Sequence, residues 1–221
     1  MKQAFRKLLQ NIGILGVVRR IRQALHVFLL YQRRRLRAPR MSHNGQILVN
    51  LGCGERSGPG YINVDIRPLA NIHYVHDIRT LPMFADQSVD LLYACHVLEH
   101  IPRSELRSIL CEWRRVLKSD GIFRFSVPDF DILLEVYRSA GNQVDSIVNQ
   151  LMGQGPPYDN HYSIWNEAYA RTLLGEVGFT NIRTWDPATA RYHDFSDKSA
   201  RIMPIGDRSV LISLNLEAEA R

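Results

Sequence analysis

The sequence predicts an α/β fold with a doubly wound, mostly parallel sheet, preceded by a basic helical extension. Strand and helix patterns alternate from residue 46 to the end of the chain, as they do in parallel sheets with crossover helices. A glycine turn closes the first strand, and the charge is divided unevenly between tail and body. We therefore predict a tail and linker at 1–45 and one folded domain at 46–221.

The charge of the chain is concentrated in the tail. Residues 1–54 contain eleven Lys or Arg and no Asp or Glu, whereas the remainder contains 17 basic and 22 acidic residues. The net charge of +6 and the pI of about 9.4 therefore originate in the tail. A basic folded surface is the usual mark of nucleic-acid binding, so we expect no nucleic-acid partner.

The tail has apolar residues at helical spacing over 5–15 and, on a rotated face, over 14–29. Its longest uncharged stretch, Leu8–Val18, is too short to span a bilayer, and no cleavage site marks a secretory signal. Residues 1–36 fit an amphipathic helix on an anionic membrane surface. A helix packed on the domain or on a partner, and an organellar transit peptide, are the alternatives. The expected location is cytoplasmic, with peripheral attachment to the inner face of a membrane if the first interpretation holds.

Local patterns place the elements of the domain. Helices are predicted at 103–118, where apolar residues repeat at i, i+3, i+4 and i+7, and at 129–140, 143–152 and 166–177. Strands are predicted at 46–51, 61–66, 72–77, 89–95, 121–127, 179–185 and 208–216, the last as an antiparallel edge.

The chain has three cysteines, Cys53, Cys95 and Cys111, and no CxxC pair. This spacing argues against a structural zinc site and against a disulfide framework, and we predict no metal. A reducing compartment suits such a chain, with Cys95 and Cys111 as buried thiols.

The most informative segment is the buried strand that ends at Gly52 and Gly54, followed eleven residues later by Asp65. Glycine allows a sharp turn and lets a ligand approach the backbone closely. An acid at the end of the next strand can accept hydrogen bonds from both hydroxyls of a ribose. Together these residues predict a nucleoside-binding crevice at the carboxyl ends of the strands.

A nicotinamide-dependent reductase is one candidate for such a crevice. Its fingerprint needs G-x-G-x-x-G at the start of a full helix, with the acid about twenty residues further on. Here Ser57 stands at the third glycine position, Pro59 follows it, and the spacing from Gly54 to Asp65 leaves room for one helical turn at most. These departures weigh against a dinucleotide.

Six short segments occur in an order that is familiar from one family. They are Leu51–Gly54, Asp65, Asp77-Ile78 with Leu81-Pro82, Ser88–Asp90, His96–His100 and Arg115–Gly121. In this order they resemble class I S-adenosylmethionine-dependent methyltransferases of the type 11 kind, over residues 46–185. The resemblance implies a Rossmann-like methyltransferase fold, methyltransferase activity and S-adenosyl-L-methionine as cofactor.

The same resemblance implies the cofactor contacts. Main-chain atoms of the glycine turn would meet the methionine part, and Asn50 stands where many such enzymes carry an acid near the methionine ammonium. The second and third strand ends would hold the ribose and adenine, and the fourth would approach the sulfonium. The implied cofactor-binding residues are Asn50, Gly52, Cys53, Gly54, Asp65, Ile66, Asp77, Ile78 and His96.

Three histidines are candidates for the catalytic base: His96, His100 and His161. A base is needed only if the methyl acceptor must lose a proton, and histidine suits a hydroxyl or amine acceptor near neutral pH. The resemblance favours a hydroxyl of a surface sugar or a lipid-linked glycan as the acceptor, and a small-molecule acceptor is the alternative. A domain that binds the cofactor without catalysis, and a nicotinamide-dependent reductase, are the alternatives.

Overall fold

The structure is a computed structural model that describes residues 44–155 and 159–221. The predictions for the tail therefore lie outside the described residues. Within the described ranges, no helix is long and apolar enough to cross a membrane.

The strands of the described residues are β1 (Leu48–Leu51), β2 (Tyr61–Asp65), β3 (Tyr74–Val75), β4 (Val89–Cys95), β5 (Leu117–Pro128), β6 (Gly153–Gly155), β7 (Asp159–Asn160), β8 (Phe179–Thr184), β9 (Ile202–Ile205), β10 (Arg208–Leu211) and β11 (Ser213–Ala220). The helices are α1 (Arg103–Val116), α2 (Phe130–Ser139), α3 (Val148–Met152) and α4 (Glu167–Val177). Short 3₁₀ turns lie at Leu98–His100, Val144–Ser146 and Lys198–Ala200.

Seven strands form one sheet in the order β3-β2-β1-β4-β5-β11-β8. The first five are parallel, and β11 runs antiparallel to both of its neighbours. The chain moves outward from β1 to β3 and then restarts at β4 on the other side of β1. A crevice forms at such a switch point, outside the carboxyl ends of the strands. The predicted α/β sheet is confirmed.

The prediction of an antiparallel edge at 208–216 is wrong in its placement. The strand begins at Ser213 and lies inside the sheet between β5 and β8, while Arg208–Leu211 pairs with β9 in a separate hairpin. Nearly every residue of β11 is buried, which suits a strand with a neighbour on each side.

One face of the sheet is covered by α1 and α4, which the periodicity predicts. Leu106, Leu110 and Trp113 of α1 pack with Leu174 of α4 in the same core cluster as the sheet residue Phe123. The side chain of Asn166 caps α4, and Gly178 ends that helix in the left-handed region. These helices hold the β4–α1 connection, which carries His96–His100, against the sheet.

The other face is covered differently. Tyr61 and Tyr93 pack there with Trp185 and Phe195, which belong to the irregular segment between β8 and β9. Residues 52–60, all of which are described, form turns and no helix, as the short spacing predicts. The aromatic segment occupies the face that a crossover helix between β1 and β2 would otherwise cover.

Two further sequence expectations differ from the structure. The helix predicted at 143–152 is divided at Ile147, whose φ of −130° is not helical and whose side chain is buried against α2. Cys111 is exposed on the outer face of α1, and Cys95 is half-buried. Leu110 and Trp113 lie on the buried stripe of the helix, whereas Cys111 lies one position after Leu110 and is rotated out of that stripe toward solvent.

Candidate active site

A cavity of about 650 Å³ opens at the carboxyl ends of β1, β2 and β4. All nine residues that the sequence predicts for the cofactor line it: Asn50, Gly52, Cys53, Gly54, Asp65, Ile66, Asp77, Ile78 and His96. Of the remaining catalytic candidates, His100 lines this cavity, whereas His161 lines a small neighbouring one.

The turn after β1 depends on glycine at two positions. Gly52 and Gly54 have φ of +59° and +57°, in the left-handed region. A Cβ on Gly52 would lie 2.7 Å from a methyl carbon of Val97, and one on Gly54 would lie 2.6 Å from the guanidinium of Arg67. The turn therefore presents bare main chain to the cavity.

Asp65, at the end of β2, is buried beneath this turn and is 3% exposed. One carboxylate oxygen accepts a hydrogen bond from the Gly54 amide at 2.8 Å. The other accepts from the amide of Arg67 at 2.8 Å and from its Nε at 3.2 Å. A ligand that binds Asp65 must share this carboxylate with Arg67. The sequence patterns do not predict this role of Arg67, although the residue lies only two positions beyond β2.

The third strand end is more open than the second. The Asp77 side chain is 44% exposed, and it accepts hydrogen bonds from the amide and guanidinium of Arg79. The Ile78 carbonyl accepts from Trp113 at 2.8 Å, which anchors this segment to α1. Ile66, 54% exposed, adds an apolar wall.

Asn50 and Cys53 form the floor near the turn. Asn50 is 2% exposed, and its amide nitrogen lies 3.5 Å from the carbonyl of Arg56. Burial, together with the negative charge of Asp65, raises the pKa of the Cys53 thiol to about 12. The thiol therefore stays protonated near neutral pH and does not act as a nucleophile.

His96 follows β4 with a φ of +53° and is 8% exposed. Its Nε2 lies 3.0 Å from the Ser213 hydroxyl, which itself donates to the Lys198 carbonyl at 2.7 Å. Because the hydroxyl hydrogen is already used, Nε2 must be the donor in the bond to Ser213.

The other ring nitrogen of His96, Nδ1, lies 3.0 Å from the Glu99 carboxylate. Burial disfavours the ionised form of Glu99, but His96, aided by His100 and His161, outweighs burial and lowers its pKa. Neither carboxylate oxygen of Glu99 has a hydrogen-bond partner among the described residues, so the approach of His96 Nδ1 is an ion-pair contact. Nε2 has no lone pair with which to take a proton from an acceptor, and Nδ1 faces the buried Glu99 carboxylate.

His100 and His161 are arranged differently. Their Nδ1 atoms lie 3.0 Å and 2.9 Å from the carbonyls of Asn160 and Gln150. Carbonyls only accept, so each Nδ1 carries the hydrogen and each Nε2 carries the lone pair of the neutral ring. Both Nε2 atoms lie 3.8 Å from the same carboxylate oxygen of Asp159.

The far wall contains residues that no sequence pattern marks. The Tyr93 hydroxyl donates to Asp197 at 2.6 Å, and burial raises the pKa of Tyr93 well above its usual value. Tyr162 and Lys198 also line the cavity. In the sequence Tyr93 looks like strand core, and Asp197 lies in the segment between β8 and β9, which has no periodic pattern.

The chain is similar to known methyltransferases. Residues 60–125 match the family described as methyltransferase domain. A SAM-dependent methyltransferase from Archaeoglobus fulgidus is 15% identical, with a TM-score of 0.50, over 87% of this chain and 94% of its own. No similar sequence was found among curated proteins.

Two other solved structures are longer than this chain. The CurJ carbon methyltransferase is 18% identical with a TM-score of 0.48, and 79% of this chain aligns with 48% of that one. A possible exported protein from Bordetella parapertussis is 15% identical with a TM-score of 0.49, and 88% of this chain aligns with 66% of that one. The chain thus spans half to two thirds of these structures.

The family match covers β2 to β5 and the helix between them, and the similarity to the Archaeoglobus structure extends over most of the chain. The described part of the chain therefore has the Rossmann-like fold of S-adenosylmethionine-dependent methyltransferases.

Proposed function

We propose that the protein transfers the methyl group of S-adenosylmethionine to a hydroxyl group of a surface sugar or a lipid-linked glycan. The observation that carries this proposal is the single cavity that brings all nine predicted cofactor positions together with His100. When bound, the cofactor supplies an electrophilic methyl group on a sulfonium. The task of the chain is to align that methyl with the acceptor oxygen, which can supply much of the acceleration.

The residues present fit this cofactor. Gly52 and Gly54 bring bare main chain to the cavity lining, where Val97 and Arg67 lie too close to admit a Cβ, and Asn50 offers an amide near the expected methionine ammonium. The Asp65 carboxylate accepts the ribose hydroxyls once Arg67 gives up part of its bond. Asp77 accepts from the adenine amino group, and Ile66 and Ile78 hold the ring.

His96 acts as a positioning residue in this proposal. Its Nε2 is hydrogen-bonded to Ser213 of β11, and its Nδ1 lies 3.0 Å from the Glu99 carboxylate. These contacts fix the cavity wall where the sulfonium is expected. The interpretation of His96 as a base is less well supported, because Nε2 donates to Ser213 and Nδ1 faces a buried carboxylate.

His100 is the histidine best placed to accept a proton. It lines the cavity, its Nε2 bears the lone pair, and the Asp159 carboxylate 3.8 Å away stabilises the imidazolium that forms. His161 lies behind it, with a side chain 8% exposed. A hydroxyl acceptor that enters along this wall loses its proton to His100 as the methyl group arrives.

The polar far wall supports a sugar-like acceptor. Tyr162 presents a ring that is 59% exposed, and the neighbouring Asp159 and Asn160 offer carboxylate and amide groups. An apolar ring face beside hydrogen-bonding groups is the composition expected for binding a polyhydroxylated ring.

The test is methyl transfer from labelled S-adenosylmethionine to a glycolipid extract. Wild type should label a hydroxyl, and His100→Gln should lose most of the rate while still binding S-adenosylhomocysteine. Cofactor binding with no transfer to any fraction would favour the non-catalytic alternative. Binding of a nicotinamide dinucleotide in place of S-adenosylhomocysteine would favour the reductase.

We also propose that residues 1–36 bind an anionic membrane surface, which would bring a lipid-linked acceptor to the domain. The support is the run of basic residues without acids. Sedimentation with anionic and with neutral vesicles compares the full chain with a chain that begins at Ser42. Only the full chain should pellet, and only with anionic vesicles. Equal pelleting of both chains would contradict the proposal.

A further inference from the structure

We propose that Glu99, His100, Asp159 and His161 bind one divalent transition-metal ion beside the cavity. The spacing of the cysteines predicts no metal, but these ligands contain no thiol. The inference concerns binding by the chain itself and does not depend on methyl transfer.

The first support is the convergence of ligand atoms. One nitrogen or oxygen each from Glu99, His100 and His161 lies within 4.8 Å of the others. Asp159 places a carboxylate oxygen 3.8 Å from both histidine Nε2 atoms. Ligand bonds of about 2.0–2.2 Å put ligand atoms roughly 3–4 Å apart, so small side-chain movements complete the site.

The second support is the orientation of the two imidazoles. Each donates its Nδ1 hydrogen to a main-chain carbonyl, His100 to Asn160 and His161 to Gln150. Metal-bound histidines nearly always donate their other ring hydrogen in this way, because the bond fixes the tautomer and aims the lone pair.

The third support is independent of the histidines. The Glu99 side chain is 1% exposed, and neither of its carboxylate oxygens has a hydrogen-bond partner among the described residues. Buried carboxylates are normally satisfied, so an unpartnered oxygen in this position calls for a missing partner. A cation between Glu99 and the two imidazoles supplies it.

The donor set indicates the class of ion. Two carboxylates balance the charge of a divalent cation, and two imidazoles favour Zn²⁺, Fe²⁺ or Co²⁺ over Mg²⁺ and Ca²⁺, which prefer oxygen ligands. The ion would join the turn after β4 to β7, two segments about sixty residues apart in the chain. A bound ion would occupy the His100 lone pair, so the proton transfer to His100 in the proposed function would require the metal-free chain.

Co²⁺ is the probe for the test, because its visible spectrum reports its ligands. The full chain, stripped with a chelator, is titrated with Co²⁺ and followed by absorption and calorimetry. We expect one ion per chain, no thiolate-to-cobalt band, displacement by Zn²⁺ and no displacement by Mg²⁺. No binding by wild type, or a thiolate band that points to Cys53, Cys95 or Cys111, would overturn the proposal.

Variants locate the site. His161→Gln and Asp159→Asn should each weaken Co²⁺ binding by about tenfold or more. His76→Gln should bind as wild type does, since His76 has an exposed bond to Thr80 away from the cluster. Unchanged affinity in both cluster variants would refute the site.

Binding of S-adenosylhomocysteine by each variant serves as the folding control. A chain that binds Co²⁺ but not S-adenosylhomocysteine would refute the proposed function and leave the metal site standing.

Discussion

The two halves of the cavity are built in different ways. The cofactor half comes mainly from one stretch of chain, residues 50–78, to which the end of β4 adds His96, and it consists of strand ends, a glycine turn and buried Asp65. The acceptor half combines residues 97–101, 159–160 and 197–198 with Tyr162, which lie on turns and short strands. The first is fixed by the sheet itself, whereas the second depends on packing between distant segments.

This difference has a functional consequence. A cofactor shared by many enzymes can be held by main-chain geometry that any parallel sheet provides. An acceptor specific to one enzyme has to be recognised by side chains on segments that vary freely. Changes in the cofactor half should therefore affect binding and stability together, whereas changes in the acceptor half should affect turnover alone.

The largest effect is expected on the rate of methyl transfer when the acceptor half is changed. His100→Gln removes the lone pair that takes the acceptor proton, and loss of a general base typically lowers the rate 10²–10⁴-fold. Affinity for S-adenosylhomocysteine should stay within about twofold of wild type, because the cofactor half is untouched. Radiolabel transfer and calorimetry measure the two quantities. A parallel loss of both would mean that the two halves are not separable.

The glycine turn tests the cofactor half. Gly52→Ala places a Cβ 2.7 Å from Val97 at a φ of +59°. Gly206→Ala is the matched control, since its φ is +57° and nothing lies within 4 Å of the added Cβ. Both substitutions carry about 1–2 kcal/mol of left-handed strain, and overpacking adds about 1–3 kcal/mol at Gly52 only. Urea unfolding measures the difference in the free energy of unfolding between the two variants. Equal destabilisation would contradict the proposal that contact with Val97 requires glycine at position 52.

Asp77 should matter less than its place in the cofactor half suggests. Its side chain is 44% exposed, and one hydrogen bond from it to the cofactor contributes about 0.5–1.5 kcal/mol. Asp77→Ala should therefore weaken S-adenosylhomocysteine by about two- to tenfold, as measured by calorimetry. Asp86→Ala, on an exposed loop that pairs with Arg115, is the control and should leave affinity unchanged.

The smallest effect concerns pH. Burial lowers the pKa of His193, which lies on the segment before Asp197 and Lys198. The unfolded chain therefore binds a proton at this residue at higher pH than the folded chain does. The free energy of unfolding should fall as the pH drops through about 6.5, and His193→Gln should flatten that fall. Urea midpoints on either side of that pH measure it, and an unchanged slope in the variant would assign the dependence elsewhere.

The sequence predicts the main helices and the parallel strands because local periodicity determines where they form. α1 and α4 present apolar stripes with clear ends, and the strands before Gly52 and Asp65 end in residues of distinctive chemistry. The position of β11 was missed because burial on both faces shows only in the packed sheet.

The same distinction between local patterns and distant contacts explains which site residues the sequence could predict. The resemblance implies the nine cofactor positions, all of which line the cavity, but it does not imply Arg67, whose role arises from the side-chain bond to Asp65. The pairing of His100 with Asp159, and of Tyr93 with Asp197, joins residues 59 and 104 positions apart. No local pattern marks such contacts, and they form only when the irregular segments pack.

The central claim is that this cavity holds S-adenosylmethionine through Asp65. Calorimetry with S-adenosylhomocysteine tests it on wild type, Asp65→Ala and Asp90→Ala. Asp90 is the matched control, because it bonds Ile47 and Lys118 at the other end of β4. Wild type and Asp90→Ala should bind one molecule per chain, and Asp65→Ala should lose about ten- to a hundredfold or more, as expected for hydrogen bonds to a charged group. No heat from folded wild type, or equal binding by Asp65→Ala, would contradict the account.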